Sequence, residues 1–297
     1  MEWLPKVDKD VTVGIANSMW YSKNYTINQA FAATASGNYS MELYSRDFAK
    51  SNDLVNEINL WTRRNTREKI TKILDYIPSG ILAICANTLY FRGYWQYGFS
   101  EKVTKPQNFH GVSGDYQVEM MGQQGYFKYY SDDEGTAVEL PIGERGNCSI
   151  ILILPNSETD IDKFIATDSF DKLVAAERKS EEVVIRMPKF KIEPDDELEI
   201  TGILEELGMS GIGDFRKSKV FTQPVDGRLV FFQKTGIWLD EDGIEAASAT
   251  WSGLYGDPGD RPAVPKYATF DRPFAFLIVE NNTGLFLFTG KVADITR

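Results

Sequence analysis

Glu241-Asp-Gly-Ile-Glu-Ala-Ala-Ser-Ala-Thr250 opens a stretch that ordinary folded sequence does not account for. From Asp240 to Tyr267 the residues are mostly small or polar, and Gly256, Pro258, Gly259, Pro262 and Pro265 cluster late in it. A structureless segment of this length is uncommon in a compact domain and is usually functional or disordered. In its first half Ile244, Ala246, Ser248 and Thr250 alternate with Glu245, Ala247 and Ala249. Small and β-branched residues with no Pro or Gly between them suit a strand with one buried face, and Glu245 falls on the other face. The same Glu-Ala-Ala-Ser-Ala run also suits a short helix, because alanine is the best helix former. Periodicity leaves both readings open.

The flanks are easier to read. Leu229-Val-Phe-Phe232 opens a strand running towards Leu239, and Phe274–Val279 with Leu285–Thr289 flank Glu-Asn-Asn-Thr-Gly as a fully buried hairpin. Further out, Gly80–Phe91 is apolar on both faces, which predicts a strand central to a sheet. Val11–Tyr21 is rich in β-branched and aromatic residues and reads as another strand. Ala137–Leu140 and Ser149–Leu154 form a strand pair around the turn-like Gly143-Glu-Arg-Gly-Asn147. Val183–Ile192 is a strand in which Pro188 marks an edge or a bend.

Helical spacing is local. Ser51-Asn-Asp53 is a plausible N-cap for a stripe of Leu54, Val55, Ile58 and Trp61. Thr159–Ala176 reads as helix with short breaks, and Ile200, Leu204 and Leu207 mark an amphipathic helix that Gly208 stops. Strands and helices do not alternate regularly, so the expected class is α+β with large, mainly antiparallel sheets. No linker or repeat interrupts the chain, which predicts a single domain over 1–297.

Composition narrows the function. The 297 residues can bury a large core, to which 13% aromatic content contributes. Asp plus Glu number 43 against 32 Lys plus Arg, a net charge of −11 that disfavours nucleic-acid and anionic-membrane partners. No apolar run is long enough for a membrane span. Met1-Glu-Trp-Leu-Pro5 has no basic stretch followed by an apolar one, so no signal peptide is read here. Cys85 and Cys148 sit in apolar strand-like runs and are expected as buried thiols rather than a disulfide.

Enzyme chemistry finds little support. His110 is the single histidine, in the loop-like Phe109-His-Gly111, and any Ser-His-Asp or Cys-His machinery would have to use it. Three His and Cys residues in total, widely spaced, do not make a zinc site. No P-loop or dinucleotide fingerprint occurs, so neither metal nor cofactor is expected. Asp240-Glu-Asp-Gly243 lacks the later bidentate Glu of a calcium loop and reads as an acidic, solvated turn. Asn24, Asn38, Asn147 and Asn281 begin Asn-x-Ser/Thr triplets, from which nothing is drawn.

Several ordered motifs carry a resemblance. Glu241-Asp-Gly-Ile-Glu-Ala-Ala-Ser-Ala249 resembles the hinge of the serpin family, usually Glu-x-Gly-Thr-Glu-Ala followed by small residues. Phe270-Asp-Arg-Pro-Phe-Ala-Phe-Leu-Ile278 and Thr283–Val292 are similar to its C-terminal signature. Ala86-Asn-Thr-Leu-Tyr-Phe-Arg-Gly-Tyr-Trp95, with Phe99, Thr104 and Phe109, resembles its central-strand motif. Ile58, Trp61, Thr66, Lys69 and Ile70 match one helix region of the family, and Leu204–Met209 another. The resemblance runs from about Val11 to the C-terminus.

It implies a serpin fold with an exposed reactive-centre loop at about 243–267, and a suicide inhibitor of serine or cysteine proteases. The cut loop would insert as a new strand in the large sheet; fifteen residues at ~3.3 Å span about 50 Å. On this reading Glu241, Gly243, Ile244, Glu245, Ala246, Ala247, Ser248 and Ala249 form the hinge, and Ile244 replaces the family's usual Thr. Asn87, Trp95 and Gln233 lie in the region that closes the sheet, with Gln233 where many members have His. Counting seventeen residues from Glu241 places the scissile bond at Asp257-Pro258, a junction handicapped by Pro. Tyr255-Gly256, Asp260-Arg261 and Arg261-Pro262 are further candidates. A non-inhibitory serpin, or a fragment acting as a binding protein, is the alternative. Family members carry further N-terminal helices and a strand; this chain is expected to start after them and to expose apolar surface. Extracellular or periplasmic residence follows only from the resemblance.

Overall fold

Leu54, Val55, Ile58 and Trp61 point to one side of a helix, and the helix they predict spans Ser51–Asn65 with those four residues buried. Asp53 in its first turn and Arg63 and Arg64 in its last complement the helix dipole. Its N-cap is Lys50, not Ser51, and makes no side-chain capping bond. Packing rather than capping therefore holds this helix, each fully buried large apolar side chain contributing about 1.5–3 kcal/mol.

The computed structural model describes residues 7–156, 160–192, 198–212, 214, 219–225, 227–244 and 264–295. In chain order, β1 is Val11–Ser22, α1 Gln29–Tyr39, β2 Met41–Arg46, α2 Ser51–Asn65, β3 Ile81–Tyr94, β4 Lys105–Gly111 and β5 Gly114–Ser131. Then come β6 Gly135–Ile142, β7 Cys148–Pro155, α3 Ile161–Ile165, α4 Asp168–Ala175, β8 Lys179–Pro188 and β9 Phe190–Ile192. The last are β10 Leu198–Glu199, α5 Thr201–Glu206, β11 Arg228–Thr235, β12 Ile237–Leu239, β13 Gly243–Ile244, β14 Lys266–Thr269, β15 Phe274–Glu280 and β16 Leu285–Val292.

Contacts divide the chain into two units. The first comprises Met1–Thr12, Phe91–Ile192 and Ile237–Arg297; the second comprises Val13–Tyr90 and Glu193–Gly236. In the second, β3 pairs with β11 in parallel, β1 with β2 in parallel, and β10 with β11 antiparallel. Alternate residues Ile84 and Ala86 of β3, with Val230 and Phe232 of β11, meet Leu54, Ile58 and Trp61 of α2 in one core. Opposite those residues, Cys85, Asn87 and Leu89 are only half-buried.

The first unit holds a sheet of order β14-β8-β5-β6-β7-β15-β16, with β4 on β5. Every neighbouring pair is antiparallel except β14–β8. Strand β7 is buried along its whole length, which is why Cys148–Pro155 reads as one continuous apolar run. The far end of β3 belongs to this unit as well, and there the order runs β3-β13-β12-β9.

Several expectations need correction. The terminal hairpin is buried throughout only in β15; β16 is the edge strand, with Phe288 and Val292 buried but Leu285 and Phe286 exposed, because no strand covers its far side among the described residues. Leu229–Leu239 is not one strand: it breaks at Gly236 into β11 and β12. Pro188 ends β8, and the chain bends at Lys189 to pair Phe190 with Leu239 in a different ladder. The stripe of Ile200, Leu204 and Leu207 is not a buried face: Ile200 and Leu204 are half-buried, and Leu207, the C-cap of α5, is exposed. His110 lies in β4, opposite Asp115, rather than in a loop. Cys85 and Cys148 are free thiols as expected, Cys148 buried and Cys85 half-buried, and loss of solvation pushes both up to about 12.

Candidate functional site

Residues 245–263 lie outside the described residues, and with them Glu245, Ala246, Ala247, Ser248, Ala249, Tyr255, Gly256, Asp257, Pro258, Asp260 and Arg261. The entry to the segment is described, and it begins with a tight turn. Asp240 Oδ1 accepts from the amides of Asp242 (3.0 Å) and Gly243 (3.3 Å), the Asx geometry that acidic residues favour at turns. Trp95 clamps this turn twice: its amide donates to Asp242 O at 2.9 Å and its indole Nε1 to Asp240 O at 2.8 Å. Phe99 packs edge-on against Trp95 and donates its amide to Glu241 O at 2.9 Å.

Glu241 overturns the expectation of a solvated turn, for it is 5% exposed. Thr104 Oγ1 donates to its carboxylate at 2.7 Å and Lys189 Nζ pairs with it at 2.7 Å. Burial alone would raise its pKa, but the bonds from Lys189 and Thr104 outweigh burial and hold it below the usual carboxylate range. Asp240 shifts the other way, raised by burial against its two amide donors. The sequence reading missed Lys189. Its only signal was its place directly after Pro188, at the bend between two ladders.

Beyond the turn the chain becomes strand. Gly243 pairs with Tyr94 and Ile244 with Gly93, and Ile244 pairs on its other side with Leu239. Strand β13 thus lies between β3 and β12, antiparallel to both. Gly243 is required by close approach: a Cβ there would lie inside the contact radius of the Gly93 carbonyl oxygen and 2.7 Å from Tyr94 Cα. Ile244 is 1% exposed. On its partner Gly93 a Cβ would meet the side chains of Ile142 and Phe91, so that glycine too is held by close packing.

Of the three residues expected near sheet closure, Asn87 and Gln233 are brought together, and Trp95 packs on the Asp240–Gly243 turn of the first unit. Asn87 and Gln233 are cross-strand partners in the β3–β11 ladder. Asn87 Nδ2 donates to Asn17 Oδ1 at 2.8 Å, and Asn17 Nδ2 to Tyr39 O at 3.0 Å. Asn17, like Lys189, was not legible as a site residue, since nothing in its own segment sets it opposite Asn87.

His110 Nδ1 lies 2.9 Å from Asp115 Oδ1, at an open cleft of about 730 Å³ shared with Asp160, Asp271 and Arg272. No serine or cysteine lines that cleft among the described residues. Among the described residues no group of His, Cys, Asp and Glu is placed to hold a metal, and no helix is long and apolar enough to cross a membrane.

The family model described as "Serpin (serine protease inhibitor)" matches residues 1–295. An uncharacterised serpin-like protein of Methanosarcina acetivorans is 31% identical over 296 residues, covering 96% of this chain and 68% of that protein. The crystal structure of Serpin48, a highly specific serpin of the insect Tenebrio molitor, superposes with a TM-score of 0.84 at 26% identity, covering 99% of this chain and 79% of that one. A thyroxine-binding globulin in complex with thyroxine gives a TM-score of 0.83 at 21% identity, with coverage of 99% of this chain and 78% of that one, a likeness of fold alone.

Proposed function

The chain belongs to the serpin family, and from that membership we propose that it is a suicide inhibitor of serine or cysteine proteases whose reactive segment follows Ile244. The observation that carries this reading is β13, two residues of strand already seated between β3 and β12. Continued in the same register, the chain after Ile244 would run down β3 and enter the seam where Leu229–Thr235 now pairs in parallel with Ala83–Leu89. One parallel ladder would then be replaced by two antiparallel ones. Antiparallel pairing is slightly more stable per residue, and a whole extra strand gains its hydrogen bonds.

The chemistry needs only the protease's own nucleophile. Its serine or cysteine attacks the scissile carbonyl, the peptide bond breaks, and the new amine leaves with the C-terminal side of the loop. The N-terminal side stays bound as an ester or thioester. Insertion of that half-loop then competes with hydrolysis of the acyl bond by water. The intact chain is held away from the inserted state by a kinetic barrier, namely opening the β3–β11 ladder. Whole-chain action as one inhibitory domain is part of this proposal.

Incubation with a panel of serine and cysteine proteases, followed by denaturing electrophoresis, tests it. A covalent complex of the summed mass is expected. The thyroxine-binding globulin neighbour favours a second reading, a serpin that binds without trapping. Clean loop cleavage with no covalent complex for any protease would select that reading.

A further inference from the structure

The turn Gly143-Glu-Arg-Gly-Asn147, which joins β6 to β7, holds a buried carboxylate from another part of the chain. Gly143 and Gly146 take positive φ, 89° and 65°, and backbone curled in this way turns amides inward as an anion-binding concavity. Asp8 fills it. Its Oδ2 accepts from the amides of Arg145 (3.0 Å) and Asn147 (3.5 Å), and its Oδ1 from Lys9 N at 2.7 Å. The approach is close, for a Cβ on Gly143 would lie 2.6 Å from Asp8 Oδ2. Asn147 Nδ2 donates to Val7 O at 2.8 Å, so Val7–Asp10 is strapped across the turn. Strap and turn meet again on Tyr94, the last residue of β3. Tyr94 N donates to Asp10 O at 3.2 Å, and Gly143 N donates to Tyr94 O at 2.8 Å. Tyr94 is also the residue on which the hinge strand begins, since Gly243 pairs with it. Trp95, next along, bridges to Ile142 on one side and donates its amide to Asp242 O on the other. All of these residues belong to the first unit.

Resting on the inhibitor reading, we propose that Asp8 is a positioning residue for the hinge. It ties the 143–147 turn to the strap, turn and strap together fix the backbone of Tyr94, and Tyr94 seats β13. The seating matters because β13 is the end from which the cut segment would add to β3. A segment whose first pairs are in place adds the next residue directly. One whose first pairs have opened must find its register again while water attacks the acyl bond. Loss of Asp8 therefore slows insertion without changing the loop that the protease reads. It alters how the acyl-enzyme divides between trapping and hydrolysis, and leaves the initial attack alone.

Two measurements on the full chain, Asp8→Ala and Asp8→Asn test this: hydrogen exchange of the uncut protein, and the inhibitor-to-protease stoichiometry of trapping. Asp132→Ala is the control, because Asp132 caps the β5–β6 turn of the same unit through the amides of Glu134 and Gly135. Exchange at Tyr94, Gly243 and Ile244 should quicken about ten-fold in Asp8→Ala, the scale of one lost bond to a charged group. Asp8→Asn, which keeps one acceptor, should show a smaller change in the same direction, and Asp132→Ala none. The stoichiometry should rise about two-fold or more in Asp8→Ala at an unchanged rate of loop cleavage, and stay at the parental value in Asp132→Ala. Exchange within two-fold of the parent in both Asp8 variants overturns the proposal, as does equal quickening in Asp132→Ala. Faster exchange with unchanged stoichiometry also overturns it. If the parent traps no protease, the inhibitor reading falls alone, and the exchange rates still decide whether Asp8 holds the hinge.

Discussion

Gly243 and Glu241 stand two residues apart and are constrained for different reasons. Gly243→Ala would press a methyl group into the backbone of β3 at Gly93 and Tyr94, and backbone cannot swing aside as a side chain can. Overpacking of this kind costs about 1–3 kcal/mol. A lower midpoint in chemical denaturation and easier cutting of the segment after Ile244 are the expected outcomes. Glu241 is constrained by charge. Lys189→Met would leave its carboxylate buried with Thr104 alone; because Lys189 is itself over a third exposed, about 1–3 kcal/mol is expected rather than the full cost of a buried unpaired charge. The pH dependence has a definite sign. The folded pKa of Glu241 is lowered, so its contribution is present above the ordinary carboxylate value of ~4.3 and is lost as pH falls through the folded value. Asp240, raised by burial, works in the opposite direction over the same acidic range. The stability difference between the parent and Glu241→Gln should accordingly be largest near neutrality and shrink as pH falls below the ordinary carboxylate range, as read from denaturation midpoints.

At the scale of elements, the hinge segment is tested by charge. Replacing Ala246 or Ser248 with Arg would force a cation into the β3–β11 seam on insertion, at several kcal/mol, while leaving the loop open to attack. Such variants should be cleaved as substrates with little covalent complex on denaturing gels; undiminished trapping would show that insertion is not the mechanism. Strand β7 supplies the stability control. Ile153 is fully buried and packs with Ile161, Phe164 and Leu173 in one core, so Ile153→Ala should cost about 2–5 kcal/mol. Elements such as β7 and α2 were legible because one period runs through them unbroken. The break between β11 and β12 was not, because Leu229–Leu239 is uniformly strand-like and only pairing partners outside it, Ile81–Leu89 on one side and Lys191 and Phe190 on the other, tell the two pieces apart.

The whole molecule carries two expectations. Proteolysis within the loop should raise the thermal midpoint of the chain if the freed segment inserts, which calorimetry of cut and uncut protein would record. Insertion without that rise would contradict the proposed energy difference. The second unit also presents an open apolar cleft of about 520 Å³, lined by Met19, Phe31, Met41, Met209 and Phe231, while Ile203 on α5 and Leu207 just after it are exposed. Surface of this kind favours self-association. Light scattering should show mass rising with concentration, and a strictly monomeric chain at high concentration would remove the expectation.

The sequence by itself determined the family, the α+β class and most elements, because side-chain periodicity and short motifs are local properties that survive without neighbours. Its resemblance to the family proposes a hinge at Glu241–Ala249, while periodicity left strand and helix open there, since small residues suit both. Only the tertiary structure decided that Gly243 and Ile244 are strand, because β3 and β12, some 150 residues back and a few residues before, supply the hydrogen bonds on each side. It likewise decided that Glu241 is buried and paired with Lys189, and that Asn87 faces Gln233 and bonds Asn17. Burial, pairing and charge partnership depend on distant chain meeting in space, and no single segment records what the other will be.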